Sequence, residues 1–164
     1  MILMDDARFI ADAMLGKLVK WLRVMGIDVL YDPSLAAVQL LHCAEREGRV
    51  LLTRNRRLAS RRGPARRFFV ESDYYHEQVR QVVQAFALEG RMRVFSRCIR
   101  CNTSLQTVVS QLVVGKVPSY VSATQLTFKQ CGTCDRFYWS GTHRDNMLRQ
   151  LRAMLGGRLP TGFE

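Results

Sequence analysis

Residues Arg8–Asp32, RFIADAMLGKLVKWLRVMGIDVLYD, decide the fold of the chain. The first letters, RFIADA, predict a short buried strand that ends at the carboxylate of Asp12. The middle segment, MLGKLVKWLRVMG, predicts a helix that ends with Gly26 as its C-cap. The last letters, IDVLYD, predict a second strand that ends at Asp32. A strand, a helix and a strand in this order are typical of a parallel α/β sheet.

The helix in this stretch has two faces. Its apolar side chains recur at helical spacing and are expected to lie in the core: Leu15, Leu18, Val19, Leu22 and Met25. The cationic side chains fall largely on the other face and are expected to meet solvent: Lys17, Lys20 and Arg23. The function of this helix is therefore predicted to be packing, and the chemistry is expected at the strand ends.

The residues that follow continue the alternation. Ser34–Gly48 predicts a second helix with Ser34 as its N-cap, and RVLLT (Arg49–Thr53) predicts a central strand. RFFV (Arg67–Val70) predicts a fourth strand, and a helix is expected from about Glu77 to Leu88. The fold class is thus α/β, with a small parallel sheet wrapped by helices.

Three carboxylates follow predicted strands, namely Asp12, Asp32 and Asp73. Ligands of parallel α/β sheets bind beyond the carboxyl ends of the strands, so these side chains are expected at one edge. Oxygen ligands of this kind suit Mg²⁺ or Mn²⁺, which can activate water for phosphodiester hydrolysis. Asp12 is the best candidate ligand. The alternative is that all three are solvated loop carboxylates or helix N-caps.

The chain is strongly basic, with 25 Lys and Arg against 14 Asp and Glu and a formal net charge of +11. This balance favours a polyanion such as nucleic acid, although an acidic protein partner fits it too. Seven arginines and no acidic residue lie between Arg54 and Arg67. This run either contacts phosphates or forms a solvated face. The candidate nucleic-acid contacts are Lys17, Arg54, Arg56, Arg57, Arg61 and Arg62.

Two Cys-x-x-Cys pairs mark the second half of the chain. Cys98, Cys101, Cys131 and Cys134 have the spacing of a zinc ribbon with four cysteine ligands. A site with four thiolate ligands leaves no position for a substrate water, so the zinc is expected to be structural. Two disulfides or a redox pair are the alternatives. The aromatic residues around the second pair would either stack on bases or form the core of the ribbon: Tyr120, Phe128, Phe137, Tyr138 and Trp139.

Charge and motifs together predict two domains. Residues 1–90 carry 14 basic and 11 acidic side chains, whereas residues 91–164 carry 11 and 3. We expect a catalytic core over residues 1–92 and a zinc ribbon with a final basic helix over residues 93–164. No signal peptide is recognised, since Asp5 and Asp6 stand where a signal would be basic. No apolar stretch is long enough to predict a membrane span. A cytoplasmic location is the expectation.

The motifs in order resemble the PIN-like ribonuclease domain found at the C terminus of Mut-seven proteins and in stand-alone prokaryotic proteins. The segments that carry the resemblance are FIADAMLGKLVKWLRVMGIDVLYD, RVLLTRNRRL, CIRCNTSL, VP and CGTCDRFYWSGTH, from about Arg8 to about Met147. The resemblance implies a PIN-like three-layer α/β/α core, a C-terminal zinc ribbon and RNA cleavage with a divalent metal. It makes Asp12 the leading metal-binding carboxylate and Asp73 a plausible later one.

The chain departs from this family at two acidic positions. The family typically reads Thr-Arg-Asp where this chain reads Thr53-Arg54-Asn55, and it tends to have an acidic residue early in the second helix, where Ser34, Ala36 and Ala37 stand here. The catalytic candidates are therefore Asp12, Asp73, Asp32 and Asn55. Three functions stay open, namely a metal-dependent ribonuclease, a catalytically weakened RNA-binding protein and a module that docks on a ribonucleoprotein partner.

Overall fold

The computed structural model of the chain describes residues 7–157. Residues 1–6 and 158–164, among them Asp5 and Asp6, lie outside the described residues. The first half contains four strands and four α-helices: β1 Phe9–Ala11, α1 Gly16–Val24, β2 Val29–Tyr31, α2 Ala37–Arg46, β3 Val50–Thr53, α3 Arg56–Ser60, β4 Arg67–Phe69 and α4 Tyr75–Ala85. The second half contains three strands and two α-helices: β5 Leu105–Val109, α5 Ser119–Thr124, β6 Thr127–Cys131, β7 Phe137–Tyr138 and α6 Thr142–Met154.

The first four strands form one parallel sheet in the order β2-β1-β3-β4. Phe9 of β1 pairs with Val29 of β2 on one side and with Val50 of β3 on the other. Leu51 of β3 pairs with Arg67 of β4. Because every strand runs in the same direction, the residues that follow the four strands all lie along one edge of the sheet.

Alternation along the strands divides the core into two clusters. Phe9, Ala11, Val50 and Leu52 face the cluster that contains α1 and α4, whereas Ile10 and Leu51 face the cluster that contains α2 and α3. The side-chain period of a strand is two, so adjacent residues are buried on opposite faces. Helices therefore cover both faces of the sheet, and the predicted three-layer α/β/α architecture is confirmed.

Helix α1 buries the apolar stripe that the sequence predicts, and Gly26 ends it with φ +81°. A Cβ built on Gly26 would lie 2.3 Å from the carbonyl oxygen of Arg93, so this turn requires glycine. The predicted exposure of Arg23 is wrong, since its side chain is buried. The guanidinium donates to the carbonyl oxygens of Val29, Ile99 and Arg100, which compensate for its burial.

Several predicted boundaries shift in the structure. Helix α2 begins at Ala37 because Ser34 is engaged by Asp32 in the preceding turn. Helix α4 begins two residues earlier than predicted, at Tyr75. The arginine-rich run after β3, for which the sequence allows a loop or a helix face, contains the short helix α3. Asn55 caps this helix, because its Oδ1 accepts from the backbone N–H of Leu58 at 3.2 Å.

The second half is a three-stranded antiparallel sheet in the order β5-β6-β7. Its own core is small and consists of the buried residues Val113, Val121 and Phe128. Phe128 thus fills the core, whereas Tyr120 is 72% exposed and Trp139 is 37% exposed. A sheet with so few buried apolar residues fits a zinc ribbon, in which metal ligation supplies stability that packing does not.

The ribbon and α6 both contact the first half of the chain. Val29 of the edge strand β2 donates its N–H to the Oδ1 of Asn102, at 3.2 Å. Asn102 in turn donates to Asp28 at 2.8 Å. Helix α6 packs on α4 and adds four buried residues to the α1/α4 cluster: Met147, Leu148, Leu151 and Met154. The division into residues 1–92 and 93–164 stays a prediction, and α6 shares its core with the first part.

Candidate functional site

Asp12 follows β1, one of the two central strands, and its side chain is buried at 6% exposure. One carboxylate oxygen, Oδ1, accepts from the N–H of Met14 at 3.0 Å. The other, Oδ2, accepts from the hydroxyl of Thr53 and from the N–H of Arg54, the latter at 3.0 Å. Two neighbouring strand ends therefore hold this carboxylate in one position, and both of its oxygens have hydrogen-bond donors, as a buried polar group requires.

Asn55, the third residue of the Thr53-Arg54-Asn55 segment, is exposed and lies two residues beyond β3. Its backbone N–H donates to the Oγ1 of Thr53 at 3.0 Å, while its side-chain oxygen caps α3. Thr53 thus links Asn55 to Asp12 through one hydroxyl. The amide side chain of Asn55 is committed to the helix.

Arg54 and Asp73 form an ion pair between the ends of β3 and β4, with Nη2 and Oδ1 2.6 Å apart. Arg54 also donates to the carbonyl oxygen of Ser72. The Arg54 side chain is only 15% exposed, whereas that of Asp73 is 86% exposed. Arg54 therefore fixes the loop after β4, and the charge of Asp73 is balanced within the protein.

Asp32 lies in an exposed turn after the edge strand β2. Its Oδ1 accepts from the N–H of Ser34 at 2.9 Å and from the hydroxyl of Ser34 at 2.6 Å. These hydrogen bonds lower the pKa of Asp32 below its ordinary value. Asp32 thus stabilises the turn that leads into α2.

The predicted catalytic residues occupy one edge of the sheet but not one cluster. Within residues 7–157, the group of three or more acidic, histidine or cysteine side chains close enough to share a metal ion consists of the four cysteines. Asp12, Asp32 and Asp73 form no such group there. The edge therefore offers one buried carboxylate, Asp12, flanked by exposed groups that have partners of their own.

The predicted nucleic-acid contacts separate into two kinds. Arg56, Arg57, Arg61 and Arg62 are exposed and lie on α3 or directly after it. Lys17 is exposed on the first turns of α1, with its Nζ 5.7 Å from the centre of the Tyr75 ring. Arg54, by contrast, is largely buried and forms an ion pair with Asp73. The arginine run thus supplies both an internal ion pair and an exposed cationic surface.

The four cysteine sulphurs lie at the distances of a tetrahedron. Cys98 and Cys134 are 3.6 Å apart, Cys101 and Cys131 are 3.3 Å apart, and Cys101 and Cys134 are 4.0 Å apart. Four sulphurs bound to one zinc ion at about 2.3 Å would be about 3.8 Å from one another. No disulfide bond joins any of the four cysteines, so neither of the two alternative disulfides forms. The site fits one tetrahedral metal ion.

Comparison with protein families gives one match. The model of the Mut7-C RNAse domain family matches residues 7–151. The chain belongs to the Mut7-C RNAse domain family. No curated protein and no solved structure matches the chain.

The described helices of this Mut7-C RNAse domain are short. Among residues 7–157, no helix combines the length and the apolar character needed to cross a bilayer.

The cysteines of this Mut7-C RNAse domain differ in their pKa values. Burial alone would raise the pKa of Cys101, but hydrogen bonds from Thr103 and from neighbouring cysteines outweigh it and lower this pKa to about 6. Burial and the neighbouring thiolates raise the pKa of Cys134 to about 12. Four negative charges this close repel one another, and a bound cation would allow all four thiolates to form together.

Sequence reasoning misses two groups of the Mut7-C RNAse domain that the structure reveals. Thr53 and the backbone N–H of Arg54 hold Asp12, and the only sequence signal is a hydroxyl residue at the end of a buried strand. Asp28 is also missed, although it contacts Arg49 at 2.7 Å and Asn102 at 2.8 Å. Asp28 precedes a strand, so a search of carboxyl ends does not find it.

Proposed function

We propose that this Mut7-C RNAse domain is a metal-dependent endoribonuclease that hydrolyses phosphodiester bonds at the carboxyl edge of its parallel sheet. Family membership supports a ribonuclease-like role. The observation that carries the proposal is the position of Asp12, a buried carboxylate at the end of a central strand. Buried ionisable groups are costly, and groups held in this way are common at functional sites.

Asp12 is the group that we assign to the reaction centre. Thr53, Arg54 and Met14 restrain its carboxylate, so the group is positioned before RNA binds. A restrained carboxylate loses little freedom when it engages a reacting group, which is the physical advantage of preorganisation. Asp73 lies on the same edge, and its exposed carboxylate is available to solvent on the side away from Arg54.

The donors at this edge fit a divalent cation of a particular kind. Mg²⁺ is usually held through one or two carboxylates together with substrate phosphates and several waters, so a cage of protein ligands is not needed. Asp12 would hold Mg²⁺ or Mn²⁺ together with substrate phosphates and waters, whereas Asp73, Asp32 and Asn55 lie elsewhere along the same edge of the sheet and have partners of their own. Such an ion activates water and stabilises the leaving oxygen of a phosphodiester.

We also propose that the four cysteines bind a structural zinc ion. The tetrahedral spacing of their sulphurs supports this assignment, as does the small core of the ribbon. All four protein ligands come from cysteine, so the ion would have no open coordination position for chemistry. Elemental analysis of the purified protein is expected to give one zinc per chain, and less than half an equivalent in a Cys131→Ser variant.

The ribonuclease proposal is tested by cleavage of RNA in Mn²⁺. Wild-type protein is expected to cut single-stranded RNA, and Asp12→Asn is expected to lower the rate by roughly 100-fold, the scale of losing one catalytic group. Glu45→Gln is the matched control, because Glu45 is an exposed carboxylate near the end of α2, at the other edge of the sheet. Thermal unfolding verifies that each variant is folded. Equal product from wild type and Asp12→Asn would overturn the proposal.

A second candidate function is RNA binding without efficient cleavage. The specific observation in its favour is that Asn55 stands at a position where the family typically has an acidic residue, and its side chain caps α3. This function predicts an RNA affinity that falls steeply with salt, because phosphate contacts release counterions. Salt-dependent binding together with no product in Mn²⁺ would favour it over the first candidate.

We propose RNA as the main partner and a cytoplasmic location, with a ribonucleoprotein as a further partner. Purification of the tagged protein before and after nuclease treatment separates these partners. A protein that stays bound after nuclease treatment supports direct docking, and loss of all partners supports contact through RNA.

A further inference from the structure

A shallow groove lies between α3 and β4, outside the Asp12 site. Its lining comes from four residues of α3 and one of β4: Arg56, Arg57, Ala59, Ser60 and Phe69. Ala59 and Ser60 have small side chains, and the two exposed arginines, Arg56 and Arg57, are called the rim of the groove. The groove therefore combines an apolar surface with positive charge, which is the chemistry of a site that holds a nucleobase beside a phosphate.

Arg56 and Arg57 are both exposed on this rim but have different surroundings. The guanidinium carbon of Arg56 lies 5.1 Å from the centre of the Phe69 ring, within the range of a cation–π contact. Arg57 makes no such contact within residues 7–157. Neither arginine forms an ion pair with a carboxylate there, and residues 54–70 contain no acidic side chain. Both cations are thus available to a ligand.

The groove is connected to Asp12 through a short piece of backbone. The N–H of Arg54 donates to Asp12, and α3 begins two residues later at Arg56. Arg54 also ties β3 to the loop after β4 through Asp73 and Ser72. The rim arginines therefore start next to the proposed reaction centre, and an RNA strand bound at Asp12 would pass them.

We propose that this groove binds an unpaired base of single-stranded RNA next to the scissile phosphate. The base stacks on the guanidinium of Arg56, which Phe69 supports from the other side, and Arg57 contacts the adjoining phosphate. Unpaired bases stack on aromatic rings and on arginine guanidinium planes, whereas bases within a duplex are already stacked. This inference rests on the proposed ribonuclease function and adds that the substrate is single-stranded at the site.

The test compares two Arg→Lys changes, one in the groove and one outside it, by fluorescence anisotropy with a labelled single-stranded RNA oligonucleotide in buffer that contains neither Mn²⁺ nor a chelator. Arg56→Lys keeps the charge but removes the planar group, so affinity is expected to fall by about 5-fold or more, the lower end of the range for one stacked base. Arg152→Lys is the matched control, because Arg152 is exposed on α6, which packs on the other face of the sheet from α3, and it is expected to leave affinity unchanged. An abasic oligonucleotide is expected to bind both variants equally.

Phe69→Leu is the second variant, because Phe69 is half-buried and belongs to neither core cluster. It is expected to weaken binding of the base-containing oligonucleotide and to leave the melting temperature unchanged. Equal affinities for Arg56→Lys and Arg152→Lys, or equal losses for Arg56→Lys with the base-containing and the abasic probe, would overturn the inference while leaving cleavage at Asp12 intact. If RNA affinity falls in Arg56→Lys and the wild-type protein cleaves no RNA, the proposed role of the groove stands and the ribonuclease proposal is rejected.

Discussion

At the scale of single residues, Asn55 is the most informative position in the chain. Its side-chain oxygen accepts from the N–H of Leu58 and thereby caps α3. Asp is as good an N-cap as Asn, so the cap alone does not require an amide at this position. Compared with an Asp at this position, Asn55 therefore lacks a negative charge at the edge of the sheet that holds Asp12. The local backbone is expected to be the same with either residue.

An Asn55→Asp variant is expected to increase Mn²⁺-dependent cleavage by about tenfold, the scale on which one neighbouring group changes metal affinity or activity. The added carboxylate lies two residues beyond Thr53, which contacts Asp12. Initial cleavage rates of wild type and variant, measured across a Mn²⁺ titration, give the comparison. The half-saturating Mn²⁺ concentration is expected to fall.

Asn55→Ala is the matched control for this experiment. It removes the cap without adding charge, so it is expected to cost about 1 kcal/mol of unfolding free energy and to leave the Mn²⁺ requirement as in wild type. Asn55→Asp is expected to unfold at the same temperature as wild type. An Asn55→Asp variant that is stable but cuts no faster would contradict the assignment of this edge as a metal-assisted site.

At the scale of elements, a buried arginine joins the end of α2 to the start of the sheet. The Arg49 side chain is 7% exposed, and it donates to Glu47 at 2.8 Å and to Asp28 at 2.7 Å. It also donates to the carbonyl oxygen of Phe9 at 3.2 Å. Two carboxylates and one carbonyl therefore satisfy a cation that burial would otherwise make costly.

The Glu47 contact makes stability depend on pH. Hydrogen bonds from Arg49 first, and from Arg46, lower the pKa of Glu47 to about 2. The folded pKa lies below the unfolded value of about 4.3, so the carboxylate stabilises the fold above that unfolded value. This contribution is lost as pH falls toward about 2. The stability difference between wild type and Glu47→Gln is therefore expected to shrink below about pH 4.5.

Urea unfolding of both proteins at several pH values between about 7 and about 3 measures this difference. Glu45→Gln serves as the control, since Glu45 is exposed on the same helix and forms no ion pair within residues 7–157. It is expected to match wild type at every pH. A Glu47→Gln difference that stays constant over the whole range would refute the role of this ion pair.

Elements are easier to predict than the contacts between them. The helical stripe from Leu15 to Met25 and the four parallel strands follow from local periodicity, and so does the two-sided burial of the sheet. The predicted exposure of Arg23 is wrong because helical spacing shows which way its side chain points but does not show that the ribbon covers it. The grouping of Asp12 with Thr53 is missed for the same reason, since the two lie 41 positions apart in the chain.

The candidate site shows a similar division between local and distant information. The predicted strand ends place Asp12, Asp32, Asn55 and Asp73 along one edge of the sheet. The Cys-x-x-Cys spacing identifies the four cysteines as candidate metal ligands. The ion pair of Arg54 with Asp73 cannot be found in this way, because both residues are expected to face a ligand. Charge along a sequence indicates which groups attract a polyanion, but only the fold shows which ones are paired internally.

At the scale of the whole molecule, the first cysteine turn covers the free edge of the parallel sheet. Strand β2 is an edge strand, and the N–H of its Val29 donates to Asn102. Arg23 reaches from α1 to the carbonyl oxygens of Ile99 and Arg100. A metal ion held by Cys98 and Cys101, as proposed above, would thus be linked through this turn to an edge that would otherwise present unpaired backbone groups.

Removal of the cysteine-bound metal is expected to expose this edge as well as the ribbon. Hydrogen exchange followed by mass spectrometry should show faster exchange in residues 97–105 and also in residues 27–31, while residues 50–53 at the centre of the sheet stay protected. The comparison uses protein before and after a zinc chelator, together with Cys131→Ser. Unchanged exchange in residues 27–31 after complete metal loss would contradict this coupling.

An Asn102→Gly variant tests the hydrogen bond to Val29 independently of the metal site, because it removes the Asn102 side chain and keeps all four cysteines. Asn102 has φ +71°, a conformation that glycine adopts without strain, so the turn is expected to persist. The side-chain amide that accepts from Val29 is lost, so exchange in residues 27–31 is expected to rise although zinc stays bound. Zinc content measured on the same sample verifies that the metal site is intact.

The packing of α6 has a consequence for how the chain is made. Leu151 and Met154 belong to the same cluster as Phe9, although about the whole length of the described chain separates them. During translation the four parallel strands leave the ribosome long before α6 does, and the part of α4 that packs on α6 has no partner until then. The apolar surface that α6 covers in the folded chain is therefore exposed until α6 emerges, and exposed apolar surface favours aggregation during synthesis.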